Sequence, residues 1–331
     1  MALYPQTLTW KSVLLLLCLT IGLTMGLITD AAAAKLYKYQ DKNGKWHFSD
    51  KPPKTDKDID VKVEHLEKHE PTQKVFVQNR GSRQRPLLYV INELYGPVEV
   101  RVSLTKSYNI DSNFGWNDSF VIPARGEKRI GYIKPQNPNA RWSYAYNTNY
   151  TLGDPNSQPD SQANYAPPVP AGRGFRITQA FNGIFSHQDS ANRYAVDIAM
   201  DVGTPVLASR GGVVMDIEED FSKGGIHNRK LAYKANSVRI LHDDGTMAIY
   251  AHLQLESIQV RAGERVSTGQ HIANSGNTGF SSGPHLHFAI HRNKLQKLES
   301  IPFKFSDRGG KQFTPQPNST LTGHFRVGAY R

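Results

Sequence analysis

The sequence predicts a mainly β chain: a β-rich region from Phe175 to about Pro302, preceded by a small β-sandwich and an N-terminal β-hairpin module. Three observations carry that prediction. Short apolar and aromatic runs recur along the chain with Gly, Pro, Asn and Asp between them, the pattern of strands and turns. Tight-turn signals, "DKNG" at 41–44 and "DDG" at 243–245, join such runs into hairpins. The stretch "HLHFAI", residues 285–290, alternates strictly. In a strand this places His285, His287 and Ala289 on one face and Leu286, Phe288 and Ile290 on the other.

Taken in order, residues 1–34 read as a signal peptide: one cation, Lys11, then an apolar run from Val13 to Ile28, then small residues Ala31 to Ala34. The apolar run is long enough that two outcomes stay open, cleavage or retention as an uncleaved membrane anchor. Both imply export to the periplasm or cell envelope. The single cysteine, Cys18, follows Leu17 inside the apolar run, which argues against a lipid anchor. The mature chain then has no disulfide and no thiolate ligand, so any metal site must use His, Asp or Glu. Formal net charge is +11 across 331 residues, which suits anionic envelope polymers or lipid head groups and so a peripheral envelope association. The cations are scattered, with no arginine-rich run and no aromatic RNA-binding signature, which argues against nucleic acid.

Residues 35–70 read as a hairpin module and a charged connector. "LYKYQ" and "KWHFSD" flank the "DKNG" turn, and "KTDKDIDVKVEHLEKHEPTQ" reads as exposed. Through Tyr39, Asp41, Asn43, Gly44, Ser49, Asp50, Pro52 and Pro53 the hairpin resembles a small module of unknown function found in Gram-negative envelope proteins. That resemblance implies location rather than chemistry. Residues 85–152 give four strand-like runs, "LLYVINEL", "VEVRVSL", "SFVIPARGEKRIGYI" and "RWSYAYNTNYTL", hence the sandwich; no catalytic constellation lies among them. Residues 153–171, rich in Pro, Asn, Ser and Gly, read as a linker, and 303–331 as a C-terminal tail.

The chemistry lies in 172–302. In "AVDIA" Asp197 sits between Ala195 and Ala199 on the face opposite Val196 and Ile198. A carboxylate in an apolar strand is costly to bury unless it meets a cation or a metal. His187 lies in a polar loop before this strand, and His252 ends the run "TMAIYAHL". Histidines and a carboxylate from separate strands suit zinc held by three N/O ligands with a position left for water. An unligated histidine nearby can handle the proton. No mature cysteine competes as a nucleophile.

"AVDIAMDVGTPVLASRGGVV", "DDGTMAIYAHL" and "GNTGFSSGPHLHF" resemble the signature blocks of the lysostaphin/LytM-type zinc endopeptidases, which cut peptidoglycan cross-bridges. The resemblance implies a compact antiparallel β domain, zinc as cofactor and peptidoglycan as partner. It implies zinc on His187, Asp197 and His287, with His285 and His252 as the catalytic histidines. One position departs from the family pattern. H-x-x-x-D would put the first histidine at 193, where this chain has Arg193; His187 lies ten residues before Asp197. His187 reaching in from a longer loop is the expectation. The alternative is a defective site in a module that binds and regulates a cell-wall amidase, and a non-catalytic wall-binding protein is the third reading. His227, His242, His271 and His291 are expected to be ordinary exposed or hydrogen-bonded histidines.

Overall fold

A computed structural model describes residues 34–40, 46–49, 61–66, 73–226, 231 and 234–327. The signal segment up to residue 33, His227 and the whole "DKNG" turn lie outside the described residues. Among the described residues the fold is all β, with antiparallel sheets and no α-helix.

Ala34–Gln40 and Trp46–Ser49 pair antiparallel as the hairpin pattern predicts. A third strand, Val61–Leu66, adds to Ala34–Gln40, so the segment read as an exposed connector is partly sheet.

Two sheets then face each other. One runs Val75–Asn79, Leu87–Asn92, Glu127–Pro135, Ile110–Ser112; the other runs Ser143–Leu152, Val98–Tyr108, Ser119–Ile122. Val90, Val98, Val100, Ile122 and Ile133 fill the space between them. The run "SFVIPARGEKRIGYI" supplies a strand to each sheet, Ser119–Ile122 and Glu127–Pro135, turning at Arg125 with φ of 51°.

The C-terminal region is built on a nine-stranded sheet. Its order is Arg265–Val266, Gly212–Glu218, Ser237–Leu241, Met247–Ala251, His285–Asn293, Val196–Ala199, Gly174–Gln179, Thr320–Thr322, with Leu298–Ser300 beside His285–Asn293. Val196, Ile198, Val238, Ile240, Tyr250, Leu286, Phe288 and Ile290 form one buried face. The opposite face carries the polar residues, as the alternation predicted.

Two segments are better integrated than their composition suggested. In the stretch read as a linker, Tyr165 and Val169 are buried in the core, and Ala166 N–H donates to Ser209 O at 2.8 Å. Its prolines lack N–H groups and so can lie along a strand edge without an unmet donor. In the stretch read as a tail, Phe303, Phe305 and Leu321 are core residues, and Thr320–Thr322 completes the large sheet. Strands of two or three residues are too short for alternation to reveal.

The sandwich and the large sheet share a boundary. Met215 and Met247 belong to the large sheet, yet they are fully buried among Val75, Leu88 and Val98 of the sandwich. Lys74 pairs with Asp216 (2.6 Å) and Glu218 (3.0 Å), and Glu99 accepts from Asn293 Nδ2 (3.0 Å) and Gln296 N (2.7 Å).

Candidate metal centre

Strand register brings the polar residues together. Asp197 lies directly opposite His287, and Ala199 opposite His285. On the other side of that central strand Ala251 pairs with His287, so His252 leaves the sheet next to it. His252 has φ of +63°, a left-handed conformation unusual for a side chain with a Cβ, which ends the strand and turns the chain. His187 comes from the loop after Gly174–Gln179. Its N–H donates to Gly183 O at 3.0 Å, and its ring is almost wholly buried, 1% exposed.

His287 Nδ1 is 2.9 Å from Asp197 Oδ1, and His187 Nε2 is 3.2 Å from Asp197 Oδ2. Donor atoms of His187, Asp197 and His287 all lie within 4.8 Å of one another. Beside this trio, His285 Nε2 is 3.9 Å from Asp197 Oδ1, and the His252 and His285 ring centroids are 4.6 Å apart.

Backbone carbonyls fix which nitrogen of each ring carries the proton. Nδ1–H donates from His187 to Ala180 O (2.9 Å), from His252 to Thr278 O (2.6 Å) and from His285 to Gly283 O (2.8 Å). In each neutral ring the lone pair is therefore on Nε2. His187 Nε2 is buried and, though close to Asp197, has no hydrogen-bond partner because the approach is off-axis. A buried lone pair facing a carboxylate and a second imidazole suits a divalent cation, and this N/O donor set suits zinc.

Electrostatics follow from the same contacts. Burial by itself would raise the Asp197 carboxyl, but the adjacent imidazoles of His187 and His287 outweigh it and hold the carboxyl well below its usual range. Burial opposes protonation of His187, and the facing Asp197 more than offsets that, so its pKa is raised. Burial, with repulsion from His285 and His287, pushes His252 down to about 3, and burial lowers His285.

Of the other sequence candidates, Arg193 is exposed, and its carbonyl accepts from Asn182 N at 2.7 Å, bracing the loop that carries His187. His242 donates to Gly211 O, His271 bonds Asn274 Oδ1, and His291 bridges Arg239 and Ala191 O. None of these three joins the cluster. The sequence reading missed Gln179. Its amide donates to Asp197 Oδ2 (2.9 Å) and Ser186 Oγ (2.7 Å), while its oxygen accepts from Phe185 N (3.1 Å). It thus ties the carboxylate to the His187 loop. The one signal in sequence is a polar residue at the end of "GFRITQ", where Phe175 and Ile177 alternate into the core.

Residues 191–299 match the family described as Peptidase family M23, a span that begins after His187. Residues 23–73 match a domain of unknown function, DUF4124. Glycyl-glycine endopeptidase ALE-1 of Staphylococcus capitis is 31% identical over 134 residues, 40% of this chain and 34% of that protein. Peptidoglycan DD-endopeptidase ShyA of Vibrio cholerae is 42% identical over 94 residues, 28% of this chain and 19% of that protein. The similarity thus spans about a third or less of these relatives. The solved catalytic domain of lysostaphin from Staphylococcus simulans is 27% identical, covering 44% of this chain and 89% of that one, with a TM-score of 0.26. The C-terminal region of this chain, which carries the His and Asp cluster, is a peptidase family M23 domain.

Proposed function

We infer that the chain is a zinc endopeptidase, acting at the cell envelope after export, that hydrolyses peptide cross-links of peptidoglycan. The observation that supports this most directly is the convergence of His187, Asp197 and His287 donor atoms, with His252 and His285 alongside, in an M23 domain. The relatives named above as glycyl-glycine and peptidoglycan DD-endopeptidases support the substrate class.

In this reading His187, Asp197 and His287 would hold the zinc. When bound, zinc lowers the pKa of water to about 7 and polarises a carbonyl. His252 and His285 keep Nε2 lone pairs because Thr278 O and Gly283 O occupy their Nδ1–H groups. One accepts the proton of the attacking water, and the ring so protonated can donate to the oxygen of the tetrahedral intermediate or to the leaving amine. Gln179 keeps Asp197 and the His187 loop in register. The defective-site reading rests on Arg193 standing where the family pattern has a histidine; the placement of His187 3.2 Å from Asp197 supports the zinc-binding reading over it.

The test is the muropeptide profile of purified sacculi incubated with the mature protein, with and without a zinc chelator. Loss of cross-linked dimers that the chelator prevents is the expected result, and the products identify the bond. An unchanged profile from folded protein contradicts the reading.

A further inference from the structure

The basic charge of the chain is not evenly spread. Residues 74–152 hold eleven Lys and Arg against five Asp and Glu, a net +6, whereas 172–302 hold fourteen against twelve. Within the sandwich Arg80 pairs with Glu127, Lys134 with Asp111, and Lys74 with acids of the large sheet. Arg83 and Arg141 are exposed and have no acidic partner among the described residues.

Both arginines line one cavity of about 560 Å³, together with Pro86, Trp142 and Tyr144. Trp142 and Tyr144 stack with centroids 5.7 Å apart and planes 22° apart. The row continues to Tyr146 (6.2 Å, 11°) and Trp116 (6.4 Å). Residues 142, 144 and 146 share one side of the strand Ser143–Leu152 and its lead-in, and each ring is only half-buried. A row of near-parallel, partly wet rings offers flat apolar faces to C–H groups. Unpaired guanidinium groups beside them favour carboxylates through charge-assisted, two-pronged hydrogen bonds. A sugar ring supplies the first chemistry and an acidic peptide branch the second, and a glycan carrying acidic peptides supplies both.

We propose that this cavity is a second binding site, separate from the metal centre, for the disaccharide–peptide unit of peptidoglycan, with the sugar on Trp142 and Tyr144 and peptide carboxylates on Arg83 and Arg141. The choice of this glycan rests on the functional reading above; the site itself rests on the cavity and its charge. It would hold the chain on the wall while the M23 domain works.

The probe is the uncross-linked disaccharide–tetrapeptide, which has no cross-link to cut, so the result does not depend on hydrolysis. Titration calorimetry is run on wild type, on the double variant Arg83→Ser/Arg141→Ser, and on Trp142→Ala. The arginine pair is exposed, so the double variant keeps the fold even if Trp142→Ala does not. The expected result is saturable binding by wild type, weakened at least about tenfold in the double variant, with neutral chitotetraose at least about tenfold weaker on wild type. Three results would overturn the proposal: no binding by wild type at millimolar concentration, wild-type affinity in the folded double variant, or equal affinity for chitotetraose.

Discussion

Acid should destabilise this protein in part through a histidine that lies outside the metal centre. His242 is 3% exposed; its Nδ1–H donates to Gly211 O at 2.8 Å, and its Nε2 is buried without a partner. Burial, aided by the Arg210 charge and only partly opposed by the Gly211 bond, pushes it down to about 4. The unfolded ring titrates near ~6.5. Between those values the unfolded chain takes up a proton that the folded chain refuses, so the stabilising effect is complete above ~6.5 and is lost as pH falls towards 4. At about 1.4 kcal/mol per unit the loss is roughly 2 kcal/mol by pH ~5 and roughly 3 kcal/mol by pH ~4. His242→Gln can still donate to Gly211 O but does not titrate. Urea unfolding of both proteins across this range isolates the effect, because their shared carboxylates cancel. Wild type should lose about 2 kcal/mol more than the variant between pH ~7 and ~5. A wild-type-minus-variant difference that stays constant with pH would refute the reasoning.

Gln179→Leu should lower zinc affinity about 10–100-fold, read by competition with a chromophoric chelator, because Asp197 and the His187 loop lose their shared anchor; an unchanged affinity would count against that role. Met215→Ala should cost about 2–5 kcal/mol in chemical denaturation, since the side chain is fully buried in the sandwich core from a strand of the large sheet. A loss well under 1 kcal/mol would mean that this boundary is not packed as described.

How far the sequence reached can be argued from particular residues. His285, His287 and Asp197 could be read because alternation fixes a side chain's face before any partner is known, and it sets each of them on the face opposite its strand's apolar residues. His252 followed from its place at the end of an apolar run. The contacts that set ring tautomers could not be read, because Ala180, Thr278 and Gly283 act through backbone carbonyls that any residue would supply. Gln179 escaped notice because a lone amide at a strand end is ordinary until Asp197 is placed beside it. Tyr165 and Val169 lay in a Pro-rich stretch, where composition signals a loop whether or not it packs. Nor does any pattern say that Met215 and Met247 face the sandwich, since local periodicity gives burial and not the neighbour.

The account turns on His187 serving where the family pattern would put residue 193. The direct measurement is zinc content, by metal analysis after gel filtration, of wild type, His187→Ala, Arg193→Ala and His285→Ala. The account predicts one zinc per chain in wild type, Arg193→Ala and His285→Ala, and loss of zinc in His187→Ala. Full zinc in folded His187→Ala, or its loss only when Arg193 is changed, would contradict it.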